Sequence, residues 1–134
     1  MPYTIDLKIE EERLQRNIQR ARERKIIIPT FAQMKNPELI PDSIKQQLGN
    51  VGLWEVNPLN LFRITWHNQP VTHGGGYGGV NFIELPSSLT GTPARIVVLV
   101  GILFPTGAHK VGAALVCLAP RLVTGQFDPA TQKA

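Results

Sequence analysis

The stretch that decides the fold is Ala94-Arg95-Ile96-Val97-Val98-Leu99-Val100-Gly101-Ile102-Leu103-Phe104-Pro105-Thr106-Gly107-Ala108-His109-Lys110-Val111-Gly112-Ala113-Ala114. Its first half is apolar and rich in β-branched residues, which suits a strand. Such a continuous run, without polar alternation, predicts a strand buried on both faces, as in a parallel sheet. Pro105 and Gly107 then punctuate a turn. Beyond it, Ala108, Val111, Leu115 and Leu118 recur at helical spacing, so a helix is expected over 107–119. Thr106 is its candidate N-cap and Pro120 its expected end. The order strand, turn, helix places Lys110 in the first turn of that helix.

Working outward, residues 5–25 predict a first helix. Ile5, Ile9, Leu14, Ile18 and Ala21 form an imperfect apolar stripe. Asp6, Glu10, Glu11 and Glu12 come early and Arg20, Arg22, Arg24 and Lys25 late, the order the helix dipole favours. Residues 29–42 hold three prolines and read as an irregular, wrapping segment. Asp42 or Ser43 begins a short helix through Leu48, ended by Gly49. Phe62, Ile64 and Trp66 alternate with Arg63 and Thr65, so 61–67 reads as a strand. A glycine loop, Thr72 to Gly79, follows it. Trp54 and Trp66 read as packing anchors and Cys117 as a core residue of the 107–119 helix.

Several function classes drop out. The net charge is +4 over 134 residues, but acids nearly balance bases in the charged N-terminal third, so no unopposed basic face offers itself to nucleic acid. The longest apolar run, Ile96 to Phe104, is far below the ~20 residues of a membrane helix, and no secretory leader is visible. A cytoplasmic setting is the expectation. One cysteine excludes an intramolecular disulfide and a four-cysteine zinc site. His67, His73 and His109 have no spacing that puts two on one helical face, so no metal site is expected. His73-Gly74-Gly75-Gly76 is superficially like a lipase oxyanion segment, but Ser43, Ser87 and Ser88 supply no nucleophile elbow.

Lys110 is the residue to which chemistry could be assigned, the other reading of it being an ordinary surface lysine at a helix start. Small neighbours, Gly107, Ala113 and Ala114, leave it uncrowded. The positive end of a helix dipole and an apolar surround both disfavour an ammonium, and a neutral amine attacks aldehydes. The amides of the same turn suit an anion such as phosphate. An aldehyde and a phosphate on one molecule describe pyridoxal phosphate.

The segment Phe104 to Ala114, with Thr106-Gly107-Ala108-His109-Lys110 at its centre, resembles the lysine segment of fold-type II pyridoxal-phosphate enzymes. It is closest to the tryptophan synthase β subunit and cysteine synthase type, and Gln69-Pro70-Val71 resembles the proline segment that opens that region. The resemblance covers residues 69–119. It implies an α/β fold: residues 1–60 as a helical, irregular extension, and 61–134 as the start of the cofactor-binding region with part of a mostly parallel sheet. It implies β-elimination or β-replacement on a small amino acid of the serine, cysteine or tryptophan type. Lys110 would be the Schiff-base lysine and acid/base. His109 would lie near the cofactor phosphate, and Thr106 and Gly107 would shape the turn. The family's carboxylate-binding loop and glycine-rich phosphate cup do not occur in these residues. By this resemblance the chain is either a fragment of a longer enzyme or one piece of a split enzyme, and a companion polypeptide carrying the rest of the fold is expected, in a homodimer or hetero-oligomer. The other reading of the residues is a small non-catalytic α/β subunit that docks on a larger partner through its charged N-terminal helix.

Overall fold

The computed structural model describes residue 4 and residues 6–70 and 75–133. Ile5 of the helical stripe, Val71 of the proline segment, and Thr72, His73 and Gly74 of the glycine loop lie outside the described residues. The chain is a small protein of mixed helix and strand, and it divides into two compact units: 1–27 with 112–134, and 28–111. The expected boundary at 60/61 falls inside the second unit.

In the first unit, α1 spans Glu11–Glu23. Its charge order is the expected one, with Glu11 and Glu12 in the first turn and Arg20 and Arg22 in the last. Glu12 and Arg16 form an i,i+4 pair at 2.7 Å. The helix is shorter than 5–25 because residues 6–10 are not helical, while Lys25 has φ 53. Those first residues bond to the C-terminal tail. Glu10 N–H donates to the Thr124 carbonyl at 2.8 Å, and Gln126 Nε2 donates to the Lys8 carbonyl at 2.9 Å. The contact face of α1 is mixed: Leu14, Ile18 and Ala21 of the apolar stripe are half-buried, with Asn17 buried among them. Buried Asn17 donates to the carbonyls of Leu122 (3.2 Å) and Phe127 (2.9 Å), whereas Ile9 of the apolar stripe is exposed. The last helix, α5, spans Lys110–Val123. It runs past Pro120, whose missing N–H removes one intrahelical bond without halting the remaining turn.

In the second unit, α2 (Phe31–Lys35) and a 3-10 turn (Pro37–Leu39) occupy the segment expected to be irregular. A capping box starts α2. Thr30 Oγ1 accepts from Gln33 N–H at 3.1 Å, and Gln33 Oε1 accepts from Thr30 N–H at 3.0 Å. The short helix α3 (Asp42–Leu48) ends at Gly49 as its sequence indicated. It contributes Ile44 and Leu48 to a core completed by Ile40 and Phe62.

The strand expected over 61–67 is absent. Pro58–Arg63 is a 3-10 turn, with Pro58 in the first turn and Asn57 Oδ1 accepting from Leu59 N–H at 3.0 Å. Phe62, Arg63, Ile64 and Thr65 are buried in succession, so no face of this segment alternates with solvent. Arg63 is wholly buried, at 0% exposure. Its Nη2 donates to the Leu48 carbonyl, but Nε and Nη1 have no partner among the described residues. Burial therefore pulls the Arg63 pKa below its usual value. A buried cation without a counter-charge is a poor stabiliser next to an apolar residue of like volume. Arg63→Met is expected to hold or raise stability by about 1 kcal/mol, and Arg63→Ala to lower it by about 2–5 kcal/mol through the cavity it opens. Urea melts followed by tryptophan fluorescence test this, since both tryptophans, Trp54 and Trp66, lie in this unit. Equal losses in the two variants would show that the bond to Leu48 outweighs desolvation.

Tyr77 OH donates to the Phe62 carbonyl at 2.8 Å. Burial pushes its pKa up to about 12, against the opposing charge of Arg63. A phenol held neutral in the fold and freer to ionise in the unfolded chain makes stability fall as pH rises from about 10 towards 12. The difference between the alkaline absorbance titrations of wild type and Tyr77→Phe should show a phenol ionising near 12. A difference curve centred near 10 would contradict the burial.

The sheet corrects the expectation of a mostly parallel arrangement. The strands β1 (Phe82–Leu85) and β2 (Ile96–Leu99) pair antiparallel, in the register Phe82↔Leu99 to Leu85↔Ile96. Ten residues, including the single-turn α4 (Ser87–Thr90), connect them. A parallel crossover needs a dozen or more. Nor is β2 buried on both faces: Ile96 to Leu99 are 37–48% exposed, and Phe82 and Ile83 of β1 are also exposed. Glu84 and Arg95 form an ion pair at 3.0 Å on this hairpin. No helix among the described residues is long and apolar enough to cross a membrane.

Candidate functional site

The turn before α5 is built from its backbone. Phe104 and Pro105 are buried and anchor a 3-10 turn, Pro105–Gly107. Thr106 (φ 63) and Gly107 (φ 70) are both left-handed. A non-glycine residue there costs roughly 1–2 kcal/mol, so the surroundings must impose it. Two hydrogen bonds do so: Thr106 N–H to the Leu53 carbonyl and Gly107 N–H to the Phe104 carbonyl, each 2.9 Å. Thr106 is therefore not the N-cap that its position suggested. Ala108 is extended, and α5 begins at Lys110 itself.

Aromatic rings close around the turn. A Cβ on Gly107 would lie 3.2 Å from Trp54 Cζ2, so the absence of a side chain admits the indole edge. Trp54 is nevertheless 76% exposed, and is not the buried anchor its type suggested. Half-buried Trp66 meets the buried Phe104 ring edge-on, with centroids 4.9 Å apart and planes at 72°. The His109 imidazole stacks on Trp66, at 5.6 Å and 29°. Thr106 and Gly107 thus shape the turn, and Ala108 and His109 connect it to Lys110, the first residue of α5.

His109 and Lys110 are exposed. Among the described residues, Ala113 and Ala114 after Lys110 are exposed too and do not supply the apolar surround expected for it. Cys117 is also exposed, correcting its expected core position: the same helix leaves Val116 and Val123 uncovered. Lys110 lies in the wall of neither of two clefts, a 410 Å³ hollow lined by residues including Lys45, His67 and Tyr77, and a 630 Å³ groove along α1 lined by residues including Arg16, Asn17 and Asp128. His67 Nδ1 is 2.8 Å from the Gly78 carbonyl, which can only accept, so Nδ1 carries the proton. No group of three His, Cys, Asp or Glu side chains capable of holding a metal occurs among the described residues, and His73 lies outside them.

The donor set suits a phosphorylated aldehyde. It offers one primary amine, an imidazole in the preceding position, and the first-turn amides of a 14-residue helix, of which Val111 N–H already donates to the Ala108 carbonyl at 3.5 Å. Sequence reading found these residues but missed Trp66 beside His109, Trp54 over Gly107 and the Leu53 carbonyl. No spacing signals a contact between residues more than 40 positions apart. No family model, no curated protein and no solved structure matches this chain.

Proposed function

We propose that the chain is the lysine-bearing part of a pyridoxal-phosphate enzyme of the tryptophan synthase β and cysteine synthase type, acting by β-elimination or β-replacement on a small amino acid. The observation that carries this reading is the segment Phe104 to Ala114, in which a left-handed turn ends at a lysine opening a long helix. Lys110 Nζ would bind the cofactor aldehyde, His109 and the first-turn amides would take its phosphate, and Thr106 and Gly107 would set the turn. The bound group supplies the electron sink for carbanion chemistry. Lys110 Nζ is then the group that takes and returns the proton at the substrate α-carbon.

The exposed hairpin and the uncovered side of α5 support a companion polypeptide, in a homodimer or hetero-oligomer, that covers them and completes the surround of Lys110. The exposure of Lys110 favours a second reading: a non-catalytic subunit that docks on a larger partner. Borohydride separates the two. The chain, with the polypeptide that carries the rest of the fold present, is mixed with one equivalent of pyridoxal phosphate, reduced, digested and mapped by mass. The enzymatic reading expects cofactor mass on Lys110 ahead of Lys8, Lys25, Lys35, Lys45 and Lys133. Mass spread evenly over the six lysines favours the subunit.

A further inference from the structure

We infer that Trp66 is a positioning residue for His109, holding its imidazole where it meets the phosphate of the cofactor. This inference rests on the pyridoxal-phosphate reading and goes beyond it to a residue outside the resembling segment.

His109 is exposed and lies just outside the helix, where a side chain ordinarily samples several rotamers. Two contacts restrict it. Trp66 stacks on one face of the ring, and Trp66 is itself seated edge-on against Phe104, which is 4% exposed. From another direction Gly101 approaches so closely that a Cβ there would lie 3.3 Å from His109 Nδ1, 3.4 Å from its Cβ and 3.5 Å from its backbone nitrogen. The imidazole is confined by the indole and by a strip of backbone. The rest of Trp66 is fixed by its own segment: Asn81 N–H donates to the Trp66 carbonyl at 3.2 Å. A ring fixed in this way has lost its rotamer entropy before an anion arrives, so the hydrogen bond it then makes is stronger in net terms. In Trp66→Leu the ring is released, and in Trp66→Phe an aromatic face remains.

The test compares pyridoxal phosphate with pyridoxal, which has the same aldehyde and no phosphate, in the borohydride mapping of Lys110. Wild type should prefer the phosphorylated aldehyde. Trp66→Leu and His109→Ala should each lower that preference about tenfold, the loss of roughly one charge-assisted hydrogen bond. Trp66→Phe should retain most of it. A purely structural role would reduce labelling by both aldehydes alike and leave the ratio unchanged. Lys110 labelled with an unaltered ratio in Trp66→Leu overturns the inference and leaves the enzymatic reading standing. A second measurement does not depend on Lys110. In Trp54→Phe, whose one tryptophan is Trp66, inorganic phosphate should change the indole emission, and His109→Ala in that background should abolish the change. No response to phosphate overturns the inference even where Trp66→Leu fails to fold.

Discussion

A Lys110→Arg chain, mixed with pyridoxal phosphate and reduced with borohydride, is expected to carry no cofactor mass at position 110, whereas wild type carries most of its mass there. The substitution is chosen because it separates charge from chemistry. Arginine preserves the positive charge at the opening of α5, has nearly the same helix propensity and keeps a long flexible stem. It has no amine that can lose a proton near neutral pH and attack an aldehyde. A helix content equal to wild type by circular dichroism, together with complete loss of the fixed mass, assigns the reactivity to the Lys110 amine. Because Lys110 is exposed, the five remaining lysines are the internal standard: their background labelling should be the same in both chains. If the mass at those five rises to replace what position 110 has lost, the preference for Lys110 was statistical, and the turn does nothing special for the amine.

Gly125→Ala is expected to be the most damaging small change in the chain. Gly125 has φ 76, and a Cβ there would lie 2.6 Å from the Leu14 nitrogen, with the Glu10 carbonyl as close. Both are backbone atoms of the α1 start, so no rotamer change makes room. The left-handed conformation adds roughly 1–2 kcal/mol for any side chain, and overpacking adds about 1–3 kcal/mol. The adjoining Glu10 to Thr124 bond must lengthen, and with it goes the seat of Asn17 on Leu122 and Phe127. Hydrogen exchange of the α1 amides is the readout: protection across Glu11–Glu23 should collapse. Gly91→Ala is the matched control, at φ 67 with nothing within 4 Å, and should show the conformational cost alone. Equal effects from the two would mean that the tail does not bear on α1.

How much of this was legible depended on range. The capping box at Thr30 and Gln33 and the glycine after Leu48 are local signals, readable wherever they stand. The prolines around Thr30 and Gln33 predict an irregular segment, yet the capping box satisfies the first amides locally and starts α2 there. The alternation of Phe62, Ile64 and Trp66 misled for a different reason. Period two records which residues are apolar, and here Arg63 and Thr65 between them are buried as well. The apolar run of β2 misled in the same way, since hydrophobicity alone does not distinguish a strand buried on both faces from one left uncovered.

By itself the sequence determined the helical starts and stops set by neighbours within about one turn: the charge order of α1, the span of α3, and Lys110 in the first turn of α5. It also determined which residue types could perform amine chemistry. Only the tertiary structure decided that the hairpin runs antiparallel, that Arg63 is enclosed with no counter-charge among the described residues, that Trp54 and Cys117 face outward, and that Trp66 lies against His109. The physical reason is that hydrogen bonds along a helix are settled within a few residues, whereas burial and ring stacking depend on where distant parts of the chain are brought together.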